Sequence, residues 1–254
     1  MVEAPGLAVA KRLLRAAFPV AASVAPSFVA HFGDDEREKL PSALKALGFR
    51  LVEPTNAVLP EIMQMRASAE RSQHTVQISA CCPKVVRIVR EEYPHVESLL
   101  SRVPSPATWH SRRLRSRLGS GASVVFFSPC VHKAYEASLP ENEGAADAVV
   151  TFEQLSDWLS EQNAWRHVSD SGFDAEPPFW TYMALLVSDA AGSECSRRLL
   201  ENAANLAPGF YEVLGCPGGC LGGSGVSSRI SIPERIEIVM RHQQKLKDAQ
   251  NASV

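Results

Sequence analysis

Five of the six cysteines in this 254-residue chain stand in short motifs that contain proline or glycine. The most glycine-rich motif runs Cys216-Pro-Gly-Gly-Cys220 and continues to Gly225. Two thiolates in a loop whose backbone can approach a bulky ligand are typical of an iron-sulfur site, because iron prefers soft sulfur ligands and backbone N–H groups can face the cluster sulfides. Taken alone, the motif is also compatible with half of a zinc site or with two unreactive thiols.

Two further motifs are Cys81-Cys82-Pro83 and Pro129-Cys130, and both directly follow apolar runs predicted to be strands, as Cys216 does. Ligands of parallel α/β folds collect at the carboxyl ends of the strands, so the three motifs are expected to meet. This convergence makes an iron-sulfur cluster the favoured interpretation. Cys195 stands in a helical pattern without such neighbours and is predicted to be an ordinary packed thiol.

A 4Fe-4S cube takes four thiolate ligands. Neighbouring side chains of an extended backbone point to opposite sides, so Cys81 and Cys82 are not expected to bind one cube together. The expected set is one of these two with Cys130, Cys216 and Cys220. The remaining thiol could carry protons or simply pack.

Lys133 and Glu136 follow Cys130 at a spacing that places both on one face of a helix. On spacing alone they predict a surface salt bridge, which contributes little to stability. The spacing of this pair alone therefore does not indicate a catalytic or binding role.

The elements that must position these residues alternate between strand and helix, which predicts an α/β fold of mostly parallel sheets flanked by helices. Strands are predicted over residues 19–24, 50–52, 75–80, 123–127, 146–151, 182–187 and 210–214. Helices are predicted over 1–17, 41–47, 60–72, 84–100 with a break at Pro94, 107–118, 152–162, 193–206 and 233–248. The Pro-rich stretch 103–106 predicts a hinge between an N-terminal lobe, 1–105, and a C-terminal lobe, 106–254, with the cluster site between the lobes.

Charge and hydropathy limit the partners that the chain is expected to have. The 26 basic and 28 acidic residues form no basic block, so nucleic acid is not expected as a partner. No run reaches the about 18 to 20 apolar residues that span a membrane, and residues 1–17 resemble an amphipathic helix more than a signal peptide. The sequence therefore predicts a cytoplasmic protein with no membrane partner.

The three cysteine motifs, in their order, resemble those of the active-site domain of iron-iron hydrogenases, which run approximately TSCCP, PCxxKxxE and CPGGCxxGGGQP. This chain has Ser79-Ala-Cys-Cys-Pro83, Pro129-Cys-Val-His-Lys-Ala-Tyr-Glu136 and Cys216-Pro-Gly-Gly-Cys-Leu-Gly-Gly-Ser-Gly225. Smaller matches are Tyr93-Pro94, Ser101, Ser105-Pro106 and the cyanide-contacting loop Ala25-Pro26-Ser27. Details around the first two motifs are more similar to the sensory branch of this family than to its fast catalytic branch.

The resemblance implies the metal ligands. Cys82, Cys130, Cys216 and Cys220 would ligate a 4Fe-4S cube. Cys220 would also bridge to a di-iron subcluster that carries CO and cyanide. Cys81 would be the thiol that relays protons to this subcluster.

The resemblance also implies roles for polar residues around the cluster. Lys133 would hydrogen-bond a cyanide ligand, which reverses the interpretation of a plain surface salt bridge. The backbone around Ala25, Pro26 and Ser27 would do the same. Glu136 and Ser101 match members of the family's polar network and proton path.

By resemblance the chain is a hydrogenase-type oxidoreductase that oxidises H2 and reduces protons reversibly, or one that senses H2. Its partners would be H2 and protons, hydrogenase maturases, and an external ferredoxin-like carrier or ferredoxin-domain subunit, since no CxxCxxC segment precedes the domain. The alternative is a non-enzymatic 4Fe-4S protein for cluster assembly, electron transfer or redox sensing that lacks the di-iron unit. A third interpretation is a degenerate module with zinc or no metal.

Several departures from the family pattern favour the non-enzymatic alternative. Ser128 and Leu214 stand where the family usually has methionine, and the third motif ends Ser224-Gly-Val rather than GGQ. Between Phe173 and Tyr182 the long glycine-rich segment that covers the cluster is missing. Retention of Cys81 and Lys133 favours the hydrogenase-type interpretation, because neither residue is needed to hold a cube.

Overall fold

The computed structural model describes residues 3–73, 75–166, 168–183, 190–227 and 229–252, with the backbone alone for 71–73. The described helices are α1 Pro5–Leu14, α2 Asp34–Ala46, α3 Leu59–Gln73, α4 Pro83–Glu92, α5 Pro106–Leu118, α6 Lys133–Ser138, α7 Phe152–Glu161, α8 Ser193–Glu201 and α9 Ile232–Ala252. The described strands are β1 Val20–Val24, β2 Leu51–Pro54, β3 Val76–Ile78, β4 Ser123–Ser128, β5 Ala148–Thr151, β6 Ala190–Ala191, β7 Gly209–Tyr211 and β8 Val213–Leu214. Short 3-10 turns connect several of them, among them Pro26–Ala30 after β1 and Thr55–Val58 after β2.

The main sheet is parallel, with the strand order β2-β1-β4-β5. Every residue of β1 is buried, as expected for a central strand that helices cover on both faces. Val20, Ala22 and Val24 face the large core formed with α1, α2, α7 and α9. The intervening Ala21 packs with Leu114 of α5 on the other face.

A second, smaller region contains two parallel strand pairs, β3 with β7 and β6 with β8. Its core lies between α4, α8 and these strands, and includes Ile78, Val89, Leu200 and Val213. The mixed α/β architecture with parallel sheets flanked by helices confirms the fold class predicted from the sequence.

Helix boundaries follow local rules. Pro83 is the first residue of α4, where its missing N–H lacks a helical partner in any case, and Pro94 follows the end of that helix. The Ser105 hydroxyl caps α5 by accepting from the Thr108 backbone N–H at 3.2 Å. Each predicted helix has a counterpart among the described residues, but the one predicted over 41–47 begins at Asp34, and the part of helix 84–100 after its break forms a 3-10 turn, Pro94–Leu99.

The strand predicted over 210–214 is wrong as a single element. The chain forms β7 and β8, which are separated by Glu212 and pair with different strands. Glu212, between the two strands, forms an ion pair with Arg66 at 2.6 Å. The two-residue strand β6 was not predicted, since two alanines carry no strand pattern.

The strand predicted over 182–187 falls mostly outside the described residues. Its first residue, Tyr182, ends a 3-10 turn that starts at Phe179. Pro178 favours this turn, because its carbonyl accepts a hydrogen bond from the Thr181 N–H at 3.0 Å.

Strand pairing crosses the boundary predicted at residue 105. In the main sheet β1 pairs with β4, and in the smaller region β3 pairs with β7. Parallel neighbours need long crossover connections, so strands that are distant in sequence can be adjacent in a sheet. The two-lobe division at this residue stays a prediction.

Candidate functional site

Segments that follow parallel strands of both regions meet around one point. Ala25-Pro26-Ser27 follows β1, Thr55-Asn56 follows β2, and Pro129-Cys130 follows β4. Cys81-Cys82 follows β3 by two residues, and Cys216 follows β8. Residues of the first four segments line one cavity, together with Leu214 and Cys220 on either side of Cys216; Cys82 and Cys216 themselves do not line it. The carboxyl ends of the strands therefore build the site, as expected for this architecture.

Four thiols lie close enough to influence one another. Burial, opposed by the His132 N–H and Lys133 and assisted by negative charge on Cys82 and Cys216, raises the pKa of Cys130 to about 11. Burial likewise raises the pKa of Cys216, with a contribution from Cys82. The pKa of Cys220 is raised as well; burial is the largest cause, and Cys82, Cys130 and Cys216 add smaller contributions. Each of these four cysteines thus neighbours the other three, and a bound cation would be needed to stabilise all four thiolates together.

The loop that carries Cys216 and Cys220 depends on two kinds of glycine. Gly218 and Gly219 have φ of 69° and 62°, a left-handed conformation that lets the chain turn between the two cysteines. Gly223 is required for close approach, because a Cβ there would lie 2.4 Å from the carbonyl oxygen of Pro129. These glycines bring the loop against the segment that carries Cys130.

The cavity next to the thiols has a volume of about 80 Å³. Its lining combines residues of every segment described above: Ala25, Pro26, Ser27, Thr55, Asn56, Cys81, Pro106, Ala107, Phe126, Pro129, Cys130, Lys133, Glu212, Leu214 and Cys220. The Ser27 hydroxyl is fully buried and has no hydrogen-bond partner among the described residues. A buried polar group of this kind normally has a partner, so the cavity suits a ligand that can bond to Ser27.

Lys133 and Glu136 form an ion pair at 2.5 Å, with side chains only 13% and 6% exposed. The surface salt bridge predicted from spacing is therefore wrong in its location, because strand β4 delivers the start of α6 into the interior. Glu136 also accepts from the hydroxyl groups of Ser105 and Thr108. Burial alone would lower the pKa of the Lys133 ammonium, but attraction to Glu136 and Cys81 outweighs burial and raises it. Lys133 is thus a fixed cation at the cavity wall.

Cys81 has different partners from the four clustered thiols. Arg66 of α3 donates to its sulfur at 3.2 Å, and Lys133 donates to its backbone carbonyl at 2.9 Å. Burial raises the pKa of the Cys81 thiol to about 11; Glu212 raises it further and Arg66 opposes the rise. The Cys82 sulfur instead accepts from the Gly215 N–H at 3.3 Å. The two adjacent thiols therefore have different partners, as expected when neighbouring residues of an extended backbone point to opposite sides.

Arg66 and Glu212 are site residues that the motif analysis missed. Arg66 is 7% exposed, lies 4.5 Å over the ring of Phe210, and pairs with Glu212 beside Cys81. In the sequence, Arg66 is only an arginine in a predicted helix, and Glu212 is a glutamate inside an otherwise apolar run. Neither becomes informative until α3 and β7 are known to be neighbours.

Ser101 is not brought to the cavity. Its hydroxyl donates to the Gln77 side chain at 3.3 Å. With Ser105 and Glu136 it lines a separate cleft of about 450 Å³. Glu136 thus connects the two spaces, because its other carboxylate oxygen holds Lys133 at the cavity wall.

The donors present fit a multi-iron cluster. Across the described residues, no three His, Cys, Asp or Glu side chains are arranged to hold a metal ion. A cube has a wider requirement, because each of its four thiolates binds a different iron atom. Four soft thiols beside an apolar, glycine-lined loop match that requirement, and the adjoining cavity leaves room for further ligand atoms.

The loop beyond Gly225 is anchored by His31. The Ser227 N–H donates to His31 Nδ1 at 2.9 Å, and His31 Nε2 bonds to the Ser156 hydroxyl at 2.9 Å. Burial, with nearby Arg235 and Arg229, lowers the pKa of His31 from 6.5 to about 4. The folded protein therefore holds His31 neutral, as an acceptor for the loop.

This pKa difference predicts acid sensitivity of the loop anchor. The unfolded chain takes up a proton at His31 near pH 6.5 and the folded chain only near pH 4, so the stability from this residue is complete above pH 6.5 and is lost as the pH falls toward 4. The expected loss is about 2 to 3 kcal/mol. Urea unfolding of the wild type and His31→Gln at about pH 7 and about pH 4.5 measures it. Equal pH dependence in both proteins would contradict the assignment.

Comparison with known proteins adds three findings. The family model described as iron only hydrogenase large subunit, C-terminal domain, matches residues 18–178. Iron hydrogenase 1 of Clostridium pasteurianum is 28% identical over 180 residues, which cover 64% of this chain. The aligned part spans only 31% of that relative's length. The family match ends before Cys216 and Cys220.

Solved structures of FeFe-hydrogenases share the fold over nearly the whole chain. A HydA(deltaEFG) structure that concerns stepwise H-cluster assembly has a TM-score of 0.69 and 15% identity, and covers 92% of this chain and 88% of its own. A variant of HydA1 from Chlamydomonas reinhardtii has a TM-score of 0.67 and 15% identity over the same shares. At 15% sequence identity, the similarity to these structures shows that the fold is shared and nothing more. Among the described residues, no helix is long and apolar enough to cross a membrane.

Proposed function

Because the chain belongs to the iron only hydrogenase family, through the C-terminal domain of its large subunit, we propose that it binds a 4Fe-4S cube and a di-iron subcluster for reversible hydrogen chemistry or hydrogen sensing. Cys82, Cys130, Cys216 and Cys220 hold the cube in this proposal. The observation that carries it is the cavity against the thiol cluster, which Cys220 borders together with Cys81 and Lys133. A protein that held a cube alone would need neither the cavity nor the buried cation.

Lys133 is the cavity's charged hydrogen-bond donor. Its ammonium is kept in place by Glu136 and by the Cys81 carbonyl, so it is oriented before any ligand arrives. A fixed cation suits an anionic ligand such as cyanide, which would also bond to the Ser27 hydroxyl and to the backbone around Ala25 and Pro26. A bound di-iron subcluster would itself react with hydrogen. The protein supplies the orientation of that group and the charge beside it.

Cys81 is the proton-bearing group of the cavity wall. Its raised pKa, about 11, means that the thiol keeps its proton at neutral pH and can release it only to a nearby acceptor. Arg66, itself paired with Glu212, donates a hydrogen bond to the sulfur. Glu136 and Ser101 face the separate cleft, where they would exchange protons with solvent.

Electrons would enter at the surface beside Cys130 and Cys216. Val131 is 50% exposed there, and the side chain of Lys84 lies against Gly215. Together with burial, Lys84 and Arg87 lower the pKa of His132, so these cations share one patch. A positive patch around an apolar residue suits an acidic, ferredoxin-like electron carrier.

Reversing the charge of this patch is expected to slow electron transfer. Lys84→Glu should lower the rate of electron transfer from reduced ferredoxin to the iron-loaded protein about tenfold at low salt, with the difference shrinking at high salt. Stopped-flow absorbance measures the rate. Lys245→Glu, on α9 outside this patch, is the matched charge control. Equal slowing in both variants would place the docking surface elsewhere.

Infrared spectroscopy tests the proposed function most directly. Protein co-expressed with hydrogenase maturases and purified without oxygen is expected to show CO and cyanide stretching bands, together with an iron count above the about four of a cube. About four irons without such bands, beside a control hydrogenase that matures normally, would instead support the cube-only electron-transfer, assembly or sensing protein. Failure to bind iron would contradict both.

A further inference from the structure

Four buried polar side chains form a continuous hydrogen-bonded row across the main sheet. The Thr55 hydroxyl lies 2.8 Å from the Ser23 hydroxyl, which lies 2.8 Å from His110 Nδ1. His110 Nε2 lies 3.2 Å from Glu53 Oε2. Ser23 belongs to β1, Glu53 to β2 and His110 to α5, and Thr55 follows β2 directly. The row is separate from the Lys133–Glu136 pair and the cysteines, and no sequence motif described above includes it.

The charges at the far end of the row determine its protonation. Glu53 is fully buried, and the guanidinium of Arg117, itself 42% exposed, contacts its carboxylate. An arginine stays charged in proteins, so the paired Glu53 is ionised and can only accept hydrogen bonds. His110 is fully buried as well, and burial and the nearby Arg113 lower its pKa to about 3. The Glu53 carboxylate that it contacts is already neutralised by Arg117, so the ring needs no second proton, is neutral and carries one N–H.

Counting protons from Glu53 gives every bond a direction. The carboxylate accepts, so the single imidazole proton is on Nε2 and Nδ1 is an acceptor. Ser23 must then donate its only proton to Nδ1. Since that proton is committed, Thr55 is the donor in the Thr55–Ser23 bond.

The direction of the Thr55 hydrogen bond affects the cavity, because Thr55 lines it. The one hydroxyl proton of Thr55 points to Ser23, so only oxygen lone pairs are left for a bound group. Lys133, on the same cavity, has the opposite character and can only donate. The cavity is therefore polarised, with a donor at Lys133 and an acceptor at Thr55.

We propose that Glu53, acting through His110 and Ser23, fixes Thr55 as a hydrogen-bond acceptor, so that the group bound beside Thr55 carries an O–H or N–H. Glu53, His110 and Ser23 are positioning residues; Thr55 touches the bound group. The inference deepens the proposed function, since it concerns the cavity assigned above to the di-iron subcluster. Its tests use the protein without any cluster, so they can succeed or fail independently of hydrogen chemistry.

Histidine 15N NMR of the cluster-free protein tests the direction of the row. The resonances of His110, assigned by their absence in His110→Gln, are expected to show a neutral ring protonated at Nε2. In Glu53→Gln the side-chain amide can donate to Nε2, so the proton is expected to move to Nδ1. A purely structural network would tolerate this isosteric change without a tautomer switch. Ring protonation at Nδ1 in the wild type would overturn the proposal.

Two matched variants keep the test valid if Glu53→Gln does not fold. Ser23→Ala cuts the row but leaves Glu53 beside His110, so Nε2 protonation should persist. Ser111→Ala removes another buried hydroxyl of α5, one that donates to the Ala107 carbonyl, and should also leave the tautomer unchanged. An Nδ1-protonated ring in either variant would contradict control by Glu53.

Neutron diffraction from crystals exchanged into heavy water tests the end of the row at the cavity. The Thr55 deuteron is expected on the line to Ser23, and a cavity water beside Thr55 is expected to direct a deuteron at its oxygen. Thr55→Val should lose that water, and Thr55→Ser should retain it. A Thr55 deuteron that points into the cavity would overturn the proposal.

Discussion

Cys220→Ala is expected to abolish iron loading. The wild type should bind about four iron atoms per chain or more, as a cube requires, and the variant less than about one. Cys220 neighbours the other three clustered thiols and also borders the cavity, so its removal withdraws a ligand from the point where the two sites adjoin. Three remaining thiolates leave one corner of the cube exposed to water and oxygen. Iron and sulfide analysis after anaerobic reconstitution, with the visible absorbance of the cluster, measures the loss.

The other cysteines supply the controls for this experiment. Cys82→Ala, Cys130→Ala and Cys216→Ala should behave like Cys220→Ala. Cys81→Ala should keep its iron and lose any hydrogen turnover, because the Cys81 sulfur bonds to Arg66 and is not one of the four proposed ligands. Cys195 of α8 is exposed, so its prediction as a packed thiol was wrong, and Cys195→Ala should change nothing. Cluster loss in Cys81→Ala but not in Cys82→Ala would overturn the ligand assignment.

Lys133→Met is expected to lower the free energy of unfolding of the cluster-free protein by about 3 to 5 kcal/mol. The substitution leaves the Glu136 carboxylate buried without its cation, since Glu136 is only 4% exposed. Its remaining bonds to Ser105 and Thr108 cannot replace the lost charge. Urea denaturation followed by circular dichroism measures the change.

A double variant separates the unpaired charge from a packing defect. In Lys133→Met with Glu136→Gln neither ion remains, so most of the lost stability should return. The double variant should nevertheless bind no cyanide-bearing subcluster, whereas its cube should load normally. Equal instability in the single and double variants would show that the methionine side chain itself does not fit.

The composition of the site could be predicted from cysteine motifs and hydrophobic runs. Cys81, Cys130 and Cys216 each follow a strand, and parallel strands present their carboxyl ends at a common edge, so the convergence was expected and is observed. The family and the fold class that the motifs implied are confirmed. The individual roles of the four ligands, Cys81 and Lys133 stay predictions.

The surroundings of Cys81 could not be predicted in the same way. Arg66 and Glu212 come from α3 and the junction of β7 with β8, and they meet only because β7 packs against β3 and α3. Spacing rules apply within one element, whereas this ion pair joins two. The same limit explains why Lys133 and Glu136 were correctly placed on one helix face but assigned to the surface.

The sequence by itself determined which chemistry the chain can support: four soft ligands, a spare thiol, and a glycine loop able to approach a cluster. Those properties are local, because they depend on side-chain type and on the φ angles that glycine permits. Only the tertiary structure decided which groups are buried together, and burial sets their charge and the direction of their hydrogen bonds. The row from Glu53 to Thr55 shows this most clearly, since an arginine at the surface determines, through three intervening side chains, that Thr55 accepts in the cavity.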